Sequence, residues 1–267
     1  MPVAIVADST VSVLVTTAIA VAAGAISGWV ASAIRRREQR KERMREEILR
    51  WANPILGAVK SLESRLSNIL NKGLYRALDP DLDTERPVNQ NWAIGHEYAM
   101  ESSLFLFAEY FAWIQLLKER LSFELFESQQ TKDDFFKAIR NVSDALLSWP
   151  FEHPLRENKE AAAAQKRAQT KRVESDIDTQ VFALQQRAIG ELMIERGHDP
   201  PRVIGYPDFL ALRANDPRFK KLLEPLVVLL TDLRPGTKRW ERVSGTRDCL
   251  RALDRHCEVL LAVKRTS

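Results

Sequence analysis

The residues best suited to chemistry are few and scattered. Histidines stand at positions 96, 153, 198 and 256, and no two have the spacing of a paired metal site. His96-Glu97 opens like the zinc sequence H-E-x-x-H, but Met100 occupies the second ligand position, which leaves a polar helix start. Asp79-x-Asp81-x-Asp83 opens like a calcium loop. Its glycine position is Thr84 and its bidentate glutamate position is Gln90, so it reads as a solvated turn. The 267 residues include 10 glycines, and none of the glycine-rich phosphate loops or the nucleophile elbow G-x-S-x-G is present. Two cysteines exclude a disulfide scaffold. On one helix Cys249 and Cys257 lie about 12 Å apart, too far to bridge, and are expected to pack as core residues. No metal or cofactor is expected.

One pair near the C-terminus has a catalytic precedent. Arg251-Ala-Leu-Asp-Arg-His256 resembles the R-x4-H sequence of HEPN ribonucleases, a family of small all-α domains. The resemblance covers six residues and implies that His256 is a general acid/base and Arg251 a phosphate-stabilising group, assembled at a dimer interface. Ala252 stands where the family commonly has a polar residue, and five positions on an ideal helix turn the two side chains about 140° apart. The bland reading is a histidine at the edge of an amphipathic helix. Arg247, Arg251 and Arg255 fall on one ridge of that helix, with Leu250, Leu253, Cys257, Leu260 and Leu261 on the other side. The ridge is a solvated face, or a face for an acidic partner, RNA or lipid headgroups.

These residues depend on helices for their placement. Apolar residues recur at helical rather than strand periods, as in Ile55, Val59, Leu62, Leu66, Ile69 and Leu70. The patterns predict helices near 55–73, 93–126, 132–147, 157–196, 207–214, 217–233 and 237–264. The fourth carries a stripe through Val181, Leu184, Ile189 and Leu192. Asn53-Pro54 is expected to bend or restart the chain, and 197–206 to be a loop. Ser102 to Leu117 is apolar apart from Glu109; it is short for a membrane span and reads as the buried central helix of a bundle. The fold class is all-α.

The N-terminal part has a different composition. Residues 9–34 contain no charged side chain, while 35–50 contain eight basic and four acidic ones. Residues 11–34 would reach roughly 36 Å as a helix, enough for one tilted transmembrane crossing. Ala31-Ser-Ala33 resembles a signal-peptidase site, but no Lys or Arg precedes the apolar run and Arg35, Arg36 and Arg37 follow it, so an uncleaved anchor is expected. Those arginines, with Arg40 and Lys41, place the following chain on the cytoplasmic side by the positive-inside rule. Trp29 suits the inner interface. Ala20, Gly24, Gly28 and Ser32 recur every fourth position and form a bare face for helix–helix packing in the membrane.

The expected organisation is a short extracytoplasmic N-terminus (1–10), a transmembrane helix (11–34), a basic juxtamembrane stalk (35–54) and a cytoplasmic helical domain (55–267). The net charge of +4 hides a division, because the stalk is +4, residues 234–267 are +5 and the bundle between them is −4. The stalk's charge suits anionic lipid headgroups. The overall reading is a single-pass protein of the inner or plasma membrane that acts as a binding, scaffold or regulatory module and self-associates. Its expected partners are membrane lipid, a second copy and an unidentified protein, with nucleic acid a partner only in the rival ribonuclease reading. A membrane-tethered HEPN-like ribonuclease and a membrane effector acting through the span are the rival readings. Excess of arginine over lysine and abundant alanine suit a high-GC bacterial genome.

Overall fold

The computed structural model describes residues 32, 34–39, 42, 46, 50–79, 95–120, 128–147, 180–231 and 233–262. Its chain divides into two units, Met1–Leu49 and Arg50–Ser267. In the first, residues 34–39 are helical and exposed. The proposed span at 11–34 lies outside the described residues except for Ser32 and Ile34.

In the second unit, residues 50–71 form helix α1, which passes through Pro54 without the expected restart. Ile55, Val59, Leu62, Leu66 and Ile69 are almost wholly buried, as their spacing requires. The helix ends where Gly73 turns left-handed at φ 76°, a conformation that costs glycine little, and a 3-10 turn follows at Leu74–Leu78.

Helix α2, His96–Arg120, is buried on nearly every face, from Ala99 through Leu104, Phe107, Phe111 and Ile114 to Leu117. Residues 102–117 therefore lie in the centre of the bundle, as their apolar character requires. Its buried Ser103 hydroxyl donates back to the Ala99 carbonyl at 2.6 Å, which satisfies it without a partner outside the helix. Among the described residues, no helix is long and apolar enough to cross a membrane.

Helix α3 (Gln129–Leu147) turns Phe135, Ala138, Ile139, Val142 and Leu146 inward. Helix α4 (Ala183–Leu192) corrects the sequence reading in two ways. It ends at Leu192 because Ile194–Glu195 (β1) pairs antiparallel with Arg202–Val203 (β2), in the segment expected to be helix and loop. Its buried face carries Gln186, Ile189 and Gly190, whereas Leu184 is 79% and Leu192 40% exposed. Of the expected stripe, Val181 and Ile189 are buried, but Val181 precedes the helix, and the close approach of Gly190 to the Phe111 backbone turns the 186–190 face inward. Residues 157–179 of the expected helix lie outside the described residues.

Helices α5 (Tyr206–Asn215) and α6 (Pro217–Leu230) meet at Asp216, whose carboxylate accepts from the Arg218 and Phe219 amides and caps α6. Phe105, Phe209 and Phe219 stack edge to face beneath them. Helix α7 (Lys238–Ala262) closes the bundle. Helix α3 packs extensively on α7, and α2 on α4.

The second of these interfaces has no spare room. A Cβ on Gly190 would lie 2.7 Å from the Phe111 carbonyl oxygen and 3.1 Å from the Ala112 nitrogen. Backbone cannot yield as a side-chain tip can, so Gly190→Ala should cost about 1–3 kcal/mol through overpacking. Gly57, also in a helix, has open space where its Cβ would be. Gly57→Ala should be neutral or stabilising by up to roughly 1 kcal/mol. Urea denaturation of both variants checks the contrast; equal effects would contradict the packing described.

Candidate functional site

Two regions of the second unit gather polar chemistry. The first is the seam between α1 and α7. The Arg251 guanidinium donates from Nε to Glu63 Oε1 at 2.7 Å and from Nη2 to Ser67 Oγ at 3.0 Å. Lys60 Nζ bonds Glu258 Oε1 at 2.7 Å and lies 3.8 Å from Asp254 Oδ1. Burial raises the Asp254 carboxyl above the usual carboxylate range, with Lys60 opposing the shift. The seam is a chain of alternating charges that joins two helices.

This arrangement bears on the residues singled out in the sequence. Arg247 is largely covered and donates to Asp248 Oδ1 at 2.9 Å and to Ser244 Oγ at 3.1 Å. Arg251 faces Glu63, so of the ridge only Arg255 is exposed with no hydrogen bond or ion pair among the described residues. His256 is half-buried, and among the described residues no hydrogen bond joins it to Arg251. Leu250, Leu253 and Cys257 are buried, as the helical pattern predicts. Arg35, Arg36 and Arg37 are helical and exposed, whereas Arg40, Lys41, Ala20, Gly24 and Gly28 lie outside the described residues. Of the histidines, His96 Nδ1 lies 3.1 Å from the Ala77 carbonyl, and His198 is 3.6 Å from Glu195 on the hairpin. Among the described residues, no three His, Cys, Asp or Glu side chains gather as a metal site.

The second region was not legible in the sequence. A cavity of about 580 Å³ opens between α2, α3 and α4. Phe111, Ile114, Phe136 and Ile139 line its apolar wall, and Lys118, Arg140 and Arg187 bring three cations to it from three helices. Burial, then repulsion from Arg187 and Arg140, lowers the Lys118 ammonium pKa. Glu119 and Asp144 also border the cavity. Glu119 is already engaged, since Arg196 grips both its oxygens at 3.0 Å and holds its pKa down. Gln186 is committed too, donating to Val181 O at 2.7 Å and Ser143 O at 3.2 Å. The three cations are far apart in the chain and none belongs to a motif, so no local signal marks them.

No family model, curated protein or solved structure matches this chain. Function has to be read from the residues.

If Arg251 fastens α7 to α1, its partner should matter as much as it does. Arg251→Ala, Glu63→Ala and the double variant should show a coupling of up to about 1 kcal/mol, the scale of an exposed ion pair. RNA incubated with the purified protein should remain intact, and His256→Ala should leave that result unchanged. RNA cleavage abolished by Arg251→Ala and by His256→Ala, both with wild-type melting temperatures, would assign the pair to catalysis instead.

The cysteines offer a second check. Burial pushes the Cys257 thiol up to about 12, and raises Cys249 less. At pH 8 the Cys257 thiolate fraction is then on the order of 10⁻⁴, so iodoacetamide should leave it unmodified in the folded protein and label it in urea. Labelling of folded Cys257 within minutes would contradict its place in the α7 core.

Proposed function

We propose that this chain is a single-pass membrane protein whose helical body binds or scaffolds partners at the cytoplasmic face of the inner or plasma membrane. The observation that carries the reading is the contrast between the uncharged residues 9–34 and the eight basic side chains in 35–50. An apolar run of that length matches the hydrocarbon thickness, and a basic flank is retained on the cytoplasmic side. In this reading Ala20, Gly24, Gly28 and Ser32 pack the span against a second copy. Arg35, Arg36, Arg37, Arg40 and Lys41 meet anionic headgroups.

Binding rather than catalysis is favoured by how the polar side chains are used. Arg251 serves an ion pair between helices. The cavity between α2, α3 and α4 joins an apolar wall to basic side chains, which suits holding a ligand.

Membrane attachment and orientation are tested together. The full chain should stay in the membrane pellet after alkaline carbonate, and a C-terminal alkaline phosphatase fusion should be inactive while a C-terminal fluorescent protein glows. Release by carbonate would remove the anchor; an active phosphatase would reverse the orientation.

A further inference from the structure

We infer that the cavity between α2, α3 and α4 binds an amphipathic anion, an alkyl chain ended by a carboxylate or a phosphate. The inference names a ligand class for the binding module proposed above but does not depend on the membrane anchor.

Three observations converge on this chemistry. The first is the wall: aromatic and aliphatic side chains of α2 and α3 line a volume of about 580 Å³, well within the range that holds small ligands. An alkyl chain gains from leaving water there. The second is the charge. Lys118, Arg140 and Arg187 border one space. Arg187 shares its charge with Glu191 at 2.9 Å, while Lys118 and Arg140 have no hydrogen bond or ion pair among the described residues. Their mutual repulsion persists in the folded protein and would be relieved by an anion among them. Of the negative side chains nearby, Glu119 is gripped by Arg196, and Asp144, exposed as Lys118 and Arg140 are, forms no ion pair with them among the described residues.

The third observation is the mouth. Leu184 lines the cavity, yet is 79% exposed, beside Phe182 at 49%. Apolar side chains left in water next to cations fit a ligand that carries both characters: the chain covers the leucine and the head group meets the ammonium and guanidinium groups. Arg140 can grip a carboxylate or phosphate with two parallel N–H donors, and Lys118 adds a point charge. The reciprocal ligands fail on one term each. An alkyl cation meets repulsion, and inorganic phosphate gains nothing from the wall.

The test is isothermal titration of the full chain in phosphatidylcholine nanodiscs, with empty nanodiscs as the reference. Decanoate, decyl phosphate, decyltrimethylammonium and inorganic phosphate are the probes. Saturable binding of at least one decyl anion, at least roughly 10-fold tighter than the decyl cation and inorganic phosphate, is expected. Preference between carboxylate and phosphate identifies the head group. Arg140→Gln and Lys118→Gln should each weaken binding by roughly 10-fold at unchanged melting temperature. Lys220→Gln, which removes the same charge from an exposed site on α6, should leave it unchanged. Leu184→Ser should weaken the decyl anions severalfold. Equal binding of decyl anion and cation, equal loss in Lys220→Gln, or no binding above empty nanodiscs would overturn the inference. None of these results bears on carbonate extraction or orientation, so a failure here is distinct from a failure of the anchor.

Discussion

A helix that is apolar around its whole circumference has to be surrounded, and α2 imposes that demand on the body of this protein. Between Ala99 and Leu117 it buries side chains on nearly every face. Water on any of these faces would forfeit the largest favourable contribution to folding. The other helices supply the cover. The aromatic group at Phe209 and Phe219 packs against Phe105, and α4 approaches so closely that glycine is required at 190. Helix α7 then closes on α3 and is joined by charge to α1.

Enclosure of α2 has a cost at its polar positions. Glu109 is more than half buried, and desolvation raises its carboxyl pKa. Glu101 pairs with Arg213 of α5, but Glu101 Oε2 and Arg213 Nε are buried without a hydrogen bond among the described residues. Such a pair contributes little net stability but is expensive to break, because one charge would be left without its partner. The cover of α2 thins toward its C-terminal end, where Lys118 and Glu119 reach water and the cavity opens. The same helix that organises the core thus supplies both the cavity wall, through Phe111 and Ile114, and one of its cations.

Much of this was legible residue by residue. The spacing of Ile55, Val59, Leu62, Leu66 and Ile69 gives the buried face of α1, and the uniform apolar character of 102–117 gives a central helix. Cys249 and Cys257 lie on the covered side of α7, Cys249 partly buried. What the sequence concealed was tertiary in origin. The hairpin at Ile194 and Val203 has two residues in each strand, too few to show alternation. The phase of α4 is set by contact with Phe111 and Ala112, so Gln186 and Gly190 turn inward while Leu184 turns out. Arg251 reads as part of an open ridge because its partners Glu63 and Ser67 become neighbours only in the fold, whereas Arg247 is held by Ser244 and Asp248 of its own helix. The cationic cavity is hidden for the same reason, being built from three helices separated in the chain.

The central claim, that α2 is enclosed by its own helical bundle, can be tested amide by amide. Hydrogen–deuterium exchange of the full chain in neutral detergent reports the free energy of opening at each site. The account predicts that residues 102–117 are the slowest to exchange and open only with global unfolding, so that their rates rise together as urea approaches the unfolding midpoint. Fast exchange of 102–117 at zero denaturant, with α1 and α7 still protected, would contradict it.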